Sequence, residues 1–332
     1  MIASLLPTRP YASPLWLPGG HAQTIYAAMA TPRPRVAYRR ERWDTPDGDF
    51  IDLDWTDAGP DGGIRGAVKT PLIALFHGLE GNSQSHYAVA LMAALQKTGS
   101  RGVVIHFRGC SGELNWLPRA YHSGDSAEID WILRRLRQRH PAAPLYAVGV
   151  SLGGNGLLKW LGERREDAAG ILRAAVAVSA PVDLMAAGDA LGHGFNLLYA
   201  RHFLATMKRK SMIKLARFPC LFDGEKLRAA NTLRAFDDLV TAPLHGYRNT
   251  DDYWTRASSK PLLRDIAVPT LLVNARNDPF LPRSALPQAR EVSAAVTIEF
   301  PETGGHAGFV AGAPPGHLDW LPQRILGYFG NV

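Results

Sequence analysis

The sequence predicts an α/β protein: a mostly parallel β-sheet covered by helices on both faces, with a helical cap inserted after the sixth strand. Three observations carry this prediction. Short, continuous apolar runs alternate with amphipathic helical stretches, the pattern of strands buried on both faces and joined by crossover helices. The alternation stops near residue 181 and resumes near 269, and the stretch between reads as helix and loop with no strand-like run. The composition supports a sizeable core, since 46% of the 332 residues are hydrophobic and 20% are charged.

Each element follows in order. Residues 1–35 read as an N-terminal arm. VAYRRERW and FIDLDWT are strand-like and are joined by TPDGD, whose Asp-Gly marks a hairpin turn. PLIALFH (71–77) opens the parallel series and leads through a glycine-rich turn into the helical HYAVALMAALQKTG. GVVIHF (102–107) precedes a long loop and the helix SAEIDWILRRLRQR, for which Asp125 or Ser123 is the N-cap. PLYAVGV (144–150) runs into the helix SLGGNGLLKWLGER, and ILRAAVAVSA (171–180) follows. After the cap, PTLLVNA (269–275) and AVTIEF (295–300) complete the sheet. The whole chain is expected as a single domain, with its core over about 36–181 and 259–332 and its cap over about 182–258.

Composition narrows the function classes. The net charge of +7 is spread along the chain, and no basic tail or nucleic-acid motif accompanies it. Cys110 and Cys220 are too few for a disulfide framework and lack metal-ligand spacing, so no metal or cofactor is expected. A reducing compartment, the cytoplasm, is the expectation. The N-terminus has no basic n-region and meets prolines early, which argues against a signal peptide. The longest apolar stretch, around 170–192, is broken by Arg173, Asp183 and Asp189, so no transmembrane helix is expected.

Chemistry concentrates at the ends of the predicted strands. Gly149-Val150-Ser151-Leu152-Gly153 matches G-x-S-x-G, directly after a strand and at the start of a helix. A turn that sharp needs glycine on both sides of the serine and lifts its hydroxyl out of the sheet edge. A serine hydroxyl is a poor nucleophile until a base takes its proton, so a histidine and an orienting acid are required. Asp278 in NARNDPF and His306 in TGGHAGF each follow their own strand, on the sheet edge that also carries Ser151. Asp183, in SAPVDL, is the alternative acid. His77-Gly78 follows the first parallel strand, and a His-Gly turn there aims a backbone N–H at a developing oxyanion, which places the oxyanion hole at the N–H groups of Leu79 and Leu152. Asn155 and Lys159, on the helix after the serine, are expected to serve packing or to face solvent.

HGLEGN, FRGCSGELN, YHSGD, VGVSLGGN, FDDLVTAPLHGY, NARNDPF, GGHAGF and the N-terminal WLPGGHAQTIYA together resemble the YheT-like α/β-hydrolases, over about residues 16 to 328. The resemblance implies a serine carboxylesterase-type hydrolase with Ser151, Asp278 and His306 as the charge-relay residues. It also implies eukaryotic relatives that are membrane-anchored lipases and phospholipases of acyl glycerolipids, although no such anchor is expected in this chain. The reaction expected is hydrolysis of a small acyl ester, of short to medium chain length, through an acyl-serine. Lipase-like action at a membrane surface and a catalytically idle, ligand-binding hydrolase fold are the alternatives.

Two further segments need a reading. FRGCSGELNWLPRAYHSGD (107–125) carries Cys110, Ser111, His122 and Asp125, yet neither nucleophile opens a helix directly after a strand. It is therefore expected to be scaffold that lines the pocket or braces the serine turn. FNLLYARHFLATMKRKSMIKLARF (195–218) mixes apolar side chains with Arg201, Lys208, Arg209, Lys210, Lys214 and Arg217. It reads either as a lid helix with a solvated basic face or as a basic amphipathic helix that associates weakly with an anionic membrane surface. Nothing in the sequence sets an oligomeric state.

Overall fold

The computed structural model describes residues 10–56 and 69–332. Eight strands form one sheet. They are β1 (Arg39–Asp44), β2 (Phe50–Trp55), β3 (Leu72–Phe76), β4 (Arg101–His106), β5 (Leu145–Val150), β6 (Ala174–Val178), β7 (Thr270–Val273) and β8 (Val296–Glu299). Their order across the sheet is β1-β2-β4-β3-β5-β6-β7-β8. β1 and β2 pair as the expected antiparallel hairpin, β2 joins β4 antiparallel, and β3 through β8 are parallel. Several strands are shorter than the apolar runs that announce them: ILRAAVAVSA contributes only Ala174–Val178, which pair with β5 and, from Ala175 on, with β7 as well.

The helices are α1 (Gly20–Met29), α2 (His86–Lys97), α3 (Ser126–Arg139), α4 (Leu152–Arg164), α5 (Leu184–Leu191), α6 (Asn196–Arg217), α7 (Gly224–Ala229), α8 (Leu233–Phe236), α9 (Ala242–Leu244), α10 (Thr250–Ala257) and α11 (Trp320–Gly330). α3 starts where its cap dictates: the Asp125 carboxylate accepts the Glu128 N–H at 3.3 Å, which settles the N-cap on Asp125. α1 lies within the stretch expected as an arm.

The continuous apolar strands are explained by a core on each face. Along β3, Leu72, Ala74 and Phe76 face α3 and α4, packing with Ile132, Leu158 and Leu161. Ile73 and Leu75 face the other way, toward Leu91 of α2 and Ile325 and Phe329 of α11. Each of the larger fully buried side chains, Leu72, Ile73, Leu75 and Phe76, contributes about 1.5–3 kcal/mol of transfer free energy.

Two features of this frame position a site. β4 and β5 flank β3 on opposite sides, so the chain reverses its direction of travel across the sheet at β3 and β5 and opens a crevice at their carboxyl ends. The cap, α5 to α10, enters after β6 and returns before β7, above that crevice. Asn155 is fully buried: its amide nitrogen donates to the carbonyls of Ser123 (2.9 Å) and Ala257 (2.8 Å), and its oxygen accepts the Ser259 N–H (3.0 Å). It thereby ties α4 to the 107–125 loop and to the end of the cap.

Helix α6 keeps only part of the solvated basic face expected of it. Lys208 donates to the Ala230 carbonyl (2.9 Å), Lys210 pairs with Glu80 (2.8 Å), and buried Lys214 donates to the carbonyls of Leu117 (3.0 Å) and Pro118 (3.1 Å). Arg201, Arg209 and Arg217 remain exposed. Among the described residues, no helix is long and apolar enough to cross a membrane.

Candidate active site

Ser151 sits at the tip of β5, between its last residue, Val150, and the first residue of α4. Its backbone is in a strained region, with φ 53° and ψ −121°, and its N–H donates to the Val178 carbonyl at 2.8 Å. The glycines around it are there for space. A Cβ on Gly149 would lie 2.5 Å from the Gly153 carbonyl oxygen, and one on Gly153 would lie 2.4 Å from that of Phe76. Glycine on both sides lets α4 turn back against β3 and β5 and leaves the serine hydroxyl clear of the sheet.

The sheet brings the two expected partners to that hydroxyl. Asp278 lies beyond β7 and His306 beyond β8. The Ser151 Oγ is 2.9 Å from His306 Nε2, and His306 Nδ1 is 2.9 Å and 3.1 Å from the two Asp278 carboxylate oxygens. An ionised carboxylate only accepts, so Nδ1 carries the imidazole proton and Nε2 is free to accept the Ser151 proton. Asp278 is buried and its Oδ1 also accepts the Phe280 N–H at 2.9 Å. The Phe280 ring packs on the imidazole, with centroids 4.2 Å apart. The alternative acid, Asp183, is used elsewhere: it caps α5, accepting the Ala186 N–H at 3.1 Å.

The turn after β3 is built from the His77 side chain. His77 is fully buried, and burial pushes its pKa down to about 3, so it is neutral. Its Nε2 accepts the Phe107 N–H (3.1 Å), and its Nδ1–H donates to the Gly78 carbonyl (2.7 Å), which also receives the Gly81 N–H (2.9 Å). In a trans peptide the N–H points opposite to the C=O. Fixing the Gly78 carbonyl therefore turns the Leu79 N–H the other way. The neighbouring N–H groups are engaged, Gly78 by the Tyr87 hydroxyl (2.9 Å) and Glu80 by the Tyr121 hydroxyl (2.8 Å). Leu79 N–H has no acceptor among the described residues, and Leu152 N–H belongs to the first turn of α4, where helical partners are lacking.

The sequence profile described as the alpha/beta hydrolase fold matches residues 71–313. The YheT protein of Escherichia coli (strain K12), itself designated an esterase on a provisional basis, is 39% identical over 92% of this chain and 88% of its own length. The chain belongs to the YheT-like family of α/β-hydrolases. The human protein Phospholipase ABHD3 is 32% identical over 97% of this chain and 78% of its own length. Among solved structures, Est1E from Butyrivibrio proteoclasticus shares the fold, with a TM-score of 0.55 at 15% identity over 89% of this chain and 98% of that one.

In this α/β-hydrolase a cavity of about 680 Å³ lies over Ser151 and under the cap. Its walls are largely apolar, with Phe203, Met207, Phe222, Phe236 and Val240 contributed by the cap. The 107–125 loop lines one side through Tyr121 and His122. Cys110 is buried, and burial pushes its thiol up to about 12. Ser111 Oγ donates to Asp52 at 2.7 Å. The loop hangs on buried Arg108, which pairs with Glu128 (2.6 Å), Asp47 (3.0 Å) and Asp49 (3.2 Å). Asp49 in turn receives Asn115 Nδ2 and the Trp116 N–H, both at 2.7 Å. The scaffold reading of this loop is what the geometry delivers.

Helix α1 carries contacts to the site that its residues do not announce by motif or spacing. WLPGGHAQTIYA contributes only to the family resemblance, yet Gln23 and Thr24 reach the loop that carries His306.

Proposed function

We propose that this hydrolase is a serine carboxylesterase that cleaves short- to medium-chain acyl esters through an acyl-serine intermediate. The unbroken hydrogen-bond chain from Asp278 through His306 to Ser151, at the floor of an apolar cavity, carries the reading. Relatives named as an esterase and a phospholipase support an acyl ester as the substrate class.

The steps follow from the geometry. His306 Nε2 takes the Ser151 proton as Oγ attacks the ester carbonyl carbon. The negative charge that develops on the carbonyl oxygen is received by the Leu79 and Leu152 N–H groups, each worth about 3 kcal/mol of barrier. The imidazolium, stabilised by Asp278, protonates the leaving alcohol as the C–O bond breaks, and the acyl group stays on Ser151. The now neutral His306 then takes a proton from water as the water oxygen attacks the acyl-serine carbonyl, and it returns that proton to Ser151 Oγ as the acyl–Oγ bond breaks and the acid leaves. The acyl chain lies among the cap side chains, in space ample for a medium chain. A p-nitrophenyl ester series of increasing chain length tests the proposal: wild type turns over short and medium esters, and Ser151→Ala turns over none above background. Turnover that survives in Ser151→Ala contradicts it.

One observation favours a second reading, a lipase-like enzyme at a membrane surface. Met29 of α1 is 81% exposed, Phe195 and Leu198 at the start of α6 are half exposed, and α6 carries no acidic residue. Co-flotation with anionic vesicles that disappears at high salt supports it. No binding at physiological salt removes it.

A further inference from the structure

His306 cannot serve as a base unless its loop is held, and this loop has almost no regular structure to hold it. The segment between β8 and α11 runs through Gly304 and Gly305 with φ of 145° and 64°, and Ala307 also has a positive φ, of 50°. The restraint comes from the far end of the chain. Thr24 Oγ1 accepts the His306 N–H at 2.8 Å and donates its own proton to the Gly20 carbonyl at 2.7 Å. Gln23, fully buried, accepts the Gly304 N–H at 2.8 Å and the Asn277 Nδ2 proton at 3.1 Å with one oxygen. Its amide nitrogen is fixed on the Leu17 carbonyl at 3.0 Å. Asn277, next to Asp278, accepts the Gly305 N–H at 3.0 Å.

The packing leaves no slack in this arrangement. A Cβ on Gly20 would lie 1.9 Å from the Asn277 carbonyl oxygen, and one on Gly305 would lie 2.8 Å from Thr24 N. α1 thus touches the acid loop and the histidine loop at once, with backbone and side chains both in contact. It also reaches the cap, where His21 Nδ1 is 3.2 Å from the Tyr199 hydroxyl.

We propose that Gln23 and Thr24 are positioning residues of the active site: α1 is a brace that sets the distance between His306 and Ser151 by holding the peptide N–H groups of residues 304 and 306. The proposal rests on the esterase reading for its effect on turnover, and on geometry alone for its effect on His306. A hydrogen-bonded hydroxyl replaced by a methyl group lets the loop relax, and small displacements of a base from its reacting partner are amplified in rate.

The test compares Thr24→Val, which keeps the shape but cannot accept the His306 N–H, with Thr24→Ser, which can. On a p-nitrophenyl ester, kcat of Thr24→Val falls about 10- to 100-fold with KM within about twofold, and Thr24→Ser recovers most of the loss. The low-field proton resonance of the His306 Nδ1–H, identified by its loss in His306→Ala, persists in Ser151→Ala and shifts or broadens in Thr24→Val. If Thr24→Val does not fold, Thr24→Ala removes the same acceptor without placing a methyl group against the His306 N–H and is read in the same way. Turnover within twofold of wild type, an equal loss in Thr24→Ser, or an unchanged resonance overturns the brace. A wild type that turns over no ester counts against the esterase reading, and the resonance then decides the brace by itself.

Discussion

Ser151 shows how backbone strain is accommodated at the position proposed for the nucleophile. Its positive φ is tolerated because the flanking glycines give α4 room to close on β3 and because its N–H is held by Val178. Adding a methyl group at Gly153 drives it into the Phe76 and His77 carbonyls, at 2.4 Å and 2.6 Å, and neither is the end of a flexible side chain. Gly153→Ala is therefore expected to destabilise the fold by about 1–3 kcal/mol, measured by urea unfolding, and to abolish activity. Cys110→Ala gives the opposite result. Its thiol is buried and held protonated, so activity stays within about twofold in an ester hydrolysis assay, with at most a modest packing loss. The three residues now placed together were legible because each follows its own strand and because their chain order is diagnostic. Gln23 and Thr24 were not, since the N–H groups they hold lie 281 and 282 residues away and backbone donors leave no mark on a sequence.

At the scale of elements, strands and core helices were readable from periodicity and capping, and α3 covers the stretch SAEIDWILRRLRQR that its pattern predicts. The cap helix was less readable. Periodicity assigns a lysine to a polar face, but it does not reveal that the polar face meets carbonyl oxygens of another loop. Lys210 and Lys214 both turn toward the 107–125 segment and the turn that bears Leu79. That segment is held mainly by charge. Arg108 is 4% exposed and faces buried Asp49 and Glu128 as well as the more exposed Asp47, so removing it strands two buried acidic groups. Arg108→Ala should cost about 3–5 kcal/mol by urea unfolding, well beyond the effect of truncating an exposed arginine such as Arg209. Similar losses for the two would show that the loop is held by other contacts.

The molecule as a whole should be sensitive to acid. Burial holds His77 and His245 down to about 3, and His86 and His122 down to about 4, from an ordinary value of 6.5. On acidification the unfolded chain takes up protons near pH ~6.5 that the folded chain refuses until about pH 3–4, so stability falls through that window. Asp237 acts in the opposite sense. Burial raises it to about 6, so between about pH 4 and 6 the folded chain binds its proton more readily and gains stability as pH falls. Urea midpoints measured between about pH 7 and 4 isolate one histidine: His245→Asn should lose at least about 1 kcal/mol less stability over that range than wild type. Parallel curves would show that His245 is not held neutral.

The fold was legible at this scale because buried parallel strands and a mid-chain break in their rhythm survive in the sequence. The shape of the cavity was not, since it depends on how six cap helices settle over the sheet. If Ser151 is a nucleophile activated by His306, labelling with a fluorophosphonate followed by peptide mapping will reveal it. One phosphonyl group per chain is expected, on the peptide that contains Ser151, with labelling lost in Ser151→Ala and slowed by orders of magnitude in His306→Ala. Labelling at another residue, or labelling of Ser151 at an undiminished rate without His306, would contradict it.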